Sequence, residues 1–215
     1  MRNSNRAEGF RHSGFVFDSS FVIRHSSFSA EGAFTVLELL VVITIIVILA
    51  GLILATAGYV EKKGARSRAE SEIAAISAAL ESYKADNGIY PRDTTNNTTD
   101  NLDARASGNP TSYQAASLFL YNSLFGATNG SRTPASGARS YFTFKPNMLS
   151  PVDQTQSVQY IRDPLGNSYG YSTANQANSS KGYNPTYDVW STAGVTANPP
   201  TSGTDTVTPQ WVKNW

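Results

Sequence analysis

From Leu39 to Val60 the chain runs 22 residues without a charge, LLVVITIIVILAGLILATAGYV, and about 20 apolar residues suffice to cross the hydrocarbon core of a bilayer as a helix. No other feature restricts the fold as tightly. A secretory signal has a shorter apolar core followed by a small-residue cleavage site, whereas this run passes straight into a helical pattern. A core helix of a water-soluble domain is seldom apolar on every face over such a length. The run therefore predicts a membrane-spanning helix, and within 34–60 its one charged residue is Glu38.

The next segment, EKKGARSRAESEIAAISAALESYKADNG, has a different pattern. Ala69, Ile73, Ile76, Leu80 and Tyr83 recur at steps of four, three, four and three, which places them on one stripe of a helix. Glu, Lys and Arg take the other faces, and alanine, the best helix former, is abundant. Asn87-Gly88 supplies a stop and Pro91 cannot continue the helix. No proline interrupts Phe34 to Asn87, so those 54 residues can form one helix about 80 Å long. Its first half, 34–60, needs lipid or other helices around it. Its second half, 61–88, needs a domain to lean on.

Residues 1–33 are rich in Ser, Phe and Arg and follow neither a helical nor a strand period, so they read as a leader, or an over-long translated start, outside the fold. Beyond Gly88 the texture turns to Asn, Thr, Ser, Gly and Pro. RDTTNNTTDNLDARASGNPTS reads as a long polar connection, and YQAASLFLYNSLFG, apolar at Ala116, Leu118, Phe119, Leu120 and Leu124, reads as a short helix. YFTF at 141–144, SVQYI at 157–161 and TYDVWS at 186–191 have the aromatic and β-branched content of strands. DPLGN, with Asp163, Pro164 and Gly166, suits a type I turn, and Tyr169 and Tyr171 alternate after it, so 157–172 predicts a hairpin. The expected fold class is α+β: a long N-terminal helix carrying a small antiparallel-sheet head over 89–215.

The chemistry of the chain points away from catalysis. There is no cysteine, which removes disulfides and Cys-based metal sites and leaves the redox compartment open. His12 and His25 both lie in the leader. The near-neutral charge gives no reason to expect a nucleic acid partner. GNSYG at 166–170 matches the G-x-S-x-G string of hydrolases, but Ser168 follows a hairpin turn rather than a strand-to-helix elbow, and no histidine lies downstream of it. Asn96, Asn97, Asn129 and Asn178 stand in N-x-S/T strings, which chance supplies in so polar a chain. Glu38 is different. Insertion scales put a charge at a membrane helix centre at roughly 2.5–3.5 kcal/mol, less near an end. Such a residue needs a partner, and 34–60 contains no Lys, Arg or His. The counter-charge has to come from another chain or from a new amino terminus, unless Glu38 merely reaches back to the headgroups.

GAFTVLELLVVITIIVILAG closely resembles the processing site and N-terminal helix of type IV pilins and type II secretion pseudopilins. LESYKADNGIYP at 80–91, DPLGNSYGY at 163–171 and YDVWSTAG at 187–194 resemble parts of the major pseudopilin of type II secretion, while 92–156 has no counterpart in that resemblance. The resemblance implies a pilin-like fold and cleavage by a prepilin peptidase between Ala33 and Phe34, with N-methylation of Phe34. Glu38 then becomes the fifth mature residue. Gly usually precedes the cut in this family; here Gly32 is displaced by one, and a cut after Gly32 would make Glu38 the sixth. The resemblance further implies that the amino group of Phe34 in one subunit meets Glu38 of a neighbour as helices bundle into a filament.

On this basis the expected function is that of a non-enzymatic, self-polymerising subunit of a pseudopilus for protein export. It would be anchored by a single span in the inner membrane with its head in the periplasm. Its partners would be the peptidase, other pseudopilins, the inner-membrane assembly machinery and membrane lipid. The alternatives are a true type IV pilin for adhesion, motility or DNA uptake, and a monomeric membrane-anchored periplasmic binding or enzymatic domain. Two departures from the family stand out. Many relatives have a helix-kinking proline where this chain has Ala55, leaving Gly51 and Gly58 as local weak points. Major pseudopilins often bind calcium in the last loop, where this chain offers only Asp188 and Asp205, so calcium is an option and no cofactor is firm. Lys62, Lys63, Arg66 and Arg68 follow the apolar run closely, and the positive-inside rule taken alone would favour a cytoplasmic head. The interspersed Glu61, Glu70 and Glu72 and the weak effect of flanking charge on long domains favour the family's topology.

Overall fold

The computed structural model describes residues 35–194 and 207–215. Helix α1 spans Val36–Asn87, with no break at Gly51, Gly58 or Gly64. Its residues up to Leu49 form one unit, and those from Ala50 onward belong with the rest of the chain. In the first unit apolar side chains such as Val36, Leu39, Ile43 and Ile46 are exposed. The same holds in the second unit for Leu52, Ile53, Leu54 and Val60. The apolar stretch is long and apolar enough to cross a membrane, and its most apolar part buries nothing within the chain.

From Ala69 onward α1 does bury a face. Ala69, Ile73, Ile76 and Leu80 are all within 4% of full burial and sit in one core with Leu120, Leu124, Ile161, Tyr169, Tyr171 and Val189; Tyr83 packs against its edge. The 3.6-residue stripe is thus the seam on which the head is built. The helix ends as its sequence suggests: Gly88 adopts a φ of +77° and donates its N–H to the Lys84 carbonyl at 2.7 Å.

The head comprises α2 (Thr98–Asn101), α3 (Gln114–Phe125), β1 (Leu149–Ser150), β2 (Tyr160–Ile161), β3 (Gly170–Ser172), α4 (Ala174–Ala177), β4 (Asp188–Ser191) and β5 (Val212–Lys213). β1 pairs antiparallel with β2, and β3, β4 and β5 form a second antiparallel sheet in that order. α3 closes on Gly126, left-handed at φ +74°, whose N–H reaches the Asn122 carbonyl. A second buried cluster gathers Leu102, Tyr113, Ala116, Trp190 and Trp211. The architecture is α+β, with a long apolar N-terminal helix and small antiparallel sheets.

Three sequence expectations for the head are corrected. YFTF at 141–144 forms no strand. Tyr141 and Phe142 instead donate their N–H groups to the Leu124 carbonyl at the end of α3, and Phe144 packs its ring on Tyr121. Their aromatic content serves the core rather than a ladder, and pairing begins only at Leu149. The 157–172 hairpin is realised at its tip alone. Arg162 bridges Ser168 and Tyr169 N–H reaches the Ile161 carbonyl, after which β3 departs to pair with β4. The polar stretch after Pro91 is folded. Asp93, Thr99 and Asp100 are buried. Asp93 accepts from the Thr95, Asn96 and Thr98 amides, and Arg92 grips Asp100 at 2.8–3.0 Å. Thr173 donates to Asp100 at 2.7 Å, joining this network to the residue just after β3. Short Asp and Thr side chains substitute here for ladder partners, which is how a loop is buried without leaving donors unpaired.

Candidate functional site

Thr35 and Glu38 open α1 and hold each other. The Thr35 N–H and hydroxyl both donate to Glu38 Oε2 at 3.0 Å, and the Glu38 N–H donates back to Thr35 Oγ1 at 3.2 Å. This is a capping box, the T-x-x-E pattern in which two orphan amides of a helix start are satisfied reciprocally. The signal lay open in T35-V-L-E38, and sequence reasoning concentrated on the charge and missed it. Glu38 therefore has a local role within its own chain. Both accepted bonds fall on Oε2; among the described residues Oε1 takes none, and Glu38 is exposed. The carboxylate can keep its cap and still accept from a further donor. Gly32, Ala33 and Phe34 lie outside the described residues.

The head's residues are architectural. Asp163 begins the predicted turn, and its Oδ1 accepts the Leu165 and Asn167 amides at 3.0 and 2.8 Å. Gly166 N–H reaches the Asp163 carbonyl at 3.0 Å, and Ser191 at the end of β4 donates to Asp163 Oδ2 at 2.6 Å. One carboxylate thus ties the turn to the sheet. Burial pushes its pKa up even against these donors. Ser168 is buried and donates to the Tyr169 carbonyl, in a bridge rather than at a strand-to-helix elbow.

Asp188 is buried at the start of β4, where Oδ2 accepts the Tyr183 amide at 2.8 Å and Oδ1 the Asn184 amide at 2.9 Å. Burial raises its pKa, and Asp103 nearby adds to the rise. Asp205 lies outside the described residues. Calcium takes six to eight oxygens. Each oxygen of Asp188 accepts one backbone amide, and among the described residues no three His, Cys, Asp or Glu side chains gather. Among the described residues, Asp188 serves to close its own loop.

The type II secretion system core protein G of Pectobacterium carotovorum subsp. carotovorum is 41% identical to this chain over 61 residues, which make up 28% of this chain and 39% of that protein. That likeness points to the pseudopilins at family level. The match spans about two fifths of the length of that relative. No family model matches the chain. No solved structure matches it either. The likeness stands beside a long apolar helix and an antiparallel head.

Proposed function

We propose that this protein is a pseudopilin, a structural subunit of a type II secretion pseudopilus made as a precursor and polymerised through α1 for protein export. Prepilin peptidase cuts before Phe34 and the new amino group is methylated; the subunit then waits in the inner membrane with its head in the periplasm. Assembly transfers the exposed apolar residues of 36–60 from lipid to neighbouring helices. The work is mechanical rather than catalytic, and other pseudopilins and the inner-membrane assembly machinery are the partners.

One observation carries this reading. A helix start with no other charge within the apolar run places a carboxylate whose cap uses one oxygen and leaves the other open. An unpaired charge in low dielectric is costly, and a neighbour's amino terminus relieves that cost in one register only. The glutamate then sets the stagger between subunits. N-terminal sequencing and mass spectrometry of the membrane form test the maturation step. The expected species begins at Phe34 and carries one N-methyl group; a mature chain beginning at Met1 contradicts it. Fibres shed outside the cell instead of held at the envelope would point to a true type IV pilus.

A further inference from the structure

Tyr59, Lys62, Lys63, Arg66, Ser67 and Glu70 follow one another at helical spacing and line a single cleft of about 930 Å³, closed on its far side by Leu165, Asn167 and Ala193. Three cations face one carboxylate there, and that carboxylate is engaged by Arg66 at 3.4 Å. Arg66 also donates through Nη2 to the Pro209 carbonyl at 3.1 Å, which fixes its guanidinium at the cleft wall. Among the described residues Lys62 and Lys63 make no ion pair. The uncharged run ends at Val60, two residues before the first of these lysines, and Tyr59 is an amphipathic ring of the kind that sits at headgroup level.

We infer that this cleft is a binding site for the phosphate headgroup of an anionic phospholipid. Lys62 and Lys63 supply compact point charges, Arg66 a fixed cation whose Nη1 remains for the cleft's anion, and the Ser67 hydroxyl and Asn167 side-chain amide neutral donors. The inference rests on the membrane-anchored reading of Val36–Val60. If that helix spans a bilayer, residues 62–66 emerge within about 9 Å of its apolar end along the axis, at the depth where anionic headgroups attract basic side chains. The site explains why cations follow the span so closely on the side that the positive-inside rule disfavours. They hold lipid and steady the head against the membrane surface before assembly.

The test uses the full chain in neutral detergent micelles, titrated with short-chain phosphatidylglycerol and followed by native mass spectrometry. The wild type is expected to retain phosphatidylglycerol in preference to phosphatidylcholine. The double variant Lys62→Gln/Lys63→Gln should bind it about thirtyfold more weakly, and Lys181→Gln, on the head, should bind like the wild type. Equal retention by the double variant, or equal retention of both lipids, overturns the site while leaving the membrane anchor standing. Displacement of the lipid by millimolar inorganic phosphate assigns the cleft to a free anion and overturns it too. A double variant that keeps lipid but loses self-association assigns the lysines to a second copy of the chain. A chain that stays out of micelles altogether brings down the anchor and the site together.

Discussion

A Cβ built on Gly170 would lie 2.2 Å from the indole of Trp190, its partner across β3 and β4. Trp190 is fully buried, so the ring has no direction in which to yield. Gly170→Ala should therefore cost about 3 kcal/mol, at the upper end of overpacking in a core. Chemical denaturation checks this; an unchanged midpoint would mean that the strand can shift. Tyr169 offers a second residue-scale case. Burial pushes its hydroxyl pKa far up, so it remains a donor, and it bonds Glu72 Oε2 at 2.7 Å. Tyr169→Phe leaves the half-buried Glu72 with its Arg68 ion pair alone and should lose about 1 kcal/mol. Replacing Glu72 by Gln as well should recover part of that loss, because a neutral amide tolerates burial better.

At the scale of elements, α1, α3 and β4 were legible because each carries its own local signal. For α1 the signals are an uncharged run and then a 3.6-residue stripe ending at Gly88. For α3 they are a cluster of apolar residues closed by Gly126, and for β4 a short β-branched and aromatic run. The head's remaining order was not legible, for physical reasons. Asp100 and Thr173 are buried because they bond each other across 73 residues of sequence, and no local pattern announces such a pair. Phe142 and Phe144 look like strand residues because a core aromatic and a strand aromatic have the same composition. The capping box at Thr35 was readable, yet the stronger electrostatic question at Glu38 obscured it. The buried carboxylates also set a pH dependence. Glu72, Asp163 and Asp188 have folded pKa values raised by burial, so the folded state keeps protons that the unfolded chain has shed. Their contribution falls as pH rises through the window above the ordinary carboxylate range, about 4. At Asp93 burial pushes the pKa up, but the Asn96 and Thr98 amides, the Thr98 hydroxyl and the Thr95 amide outweigh it and hold the group low. Its contribution is present above that range and disappears as pH falls through the lowered value. The thermal midpoint of the detergent-solubilised chain should thus peak in mild acid and drop below about pH 4, and Asp93→Asn should flatten the acid side. A midpoint that climbs steadily from pH 4 to 8 contradicts this assignment.

For the molecule as a whole, the proposed topology and assembly both rest on α1. With the head in the periplasm, protease added to spheroplasts should degrade it while leaving cytoplasmic markers intact; full protection would place the head inside. Under the proposed function, the Glu38 charge registers one subunit against the next in addition to capping its own helix. Filament yield from cells expressing Glu38→Gln and Thr35→Ala separates these roles most directly. Glutamine can still serve the capping box but has no charge, whereas Thr35→Ala weakens the cap by about 1 kcal/mol and leaves the charge. The expected result is a near-complete loss of sedimentable filaments with Glu38→Gln and largely preserved yield with Thr35→Ala. Full assembly by Glu38→Gln together with loss in Thr35→Ala would show that the glutamate only starts its own helix.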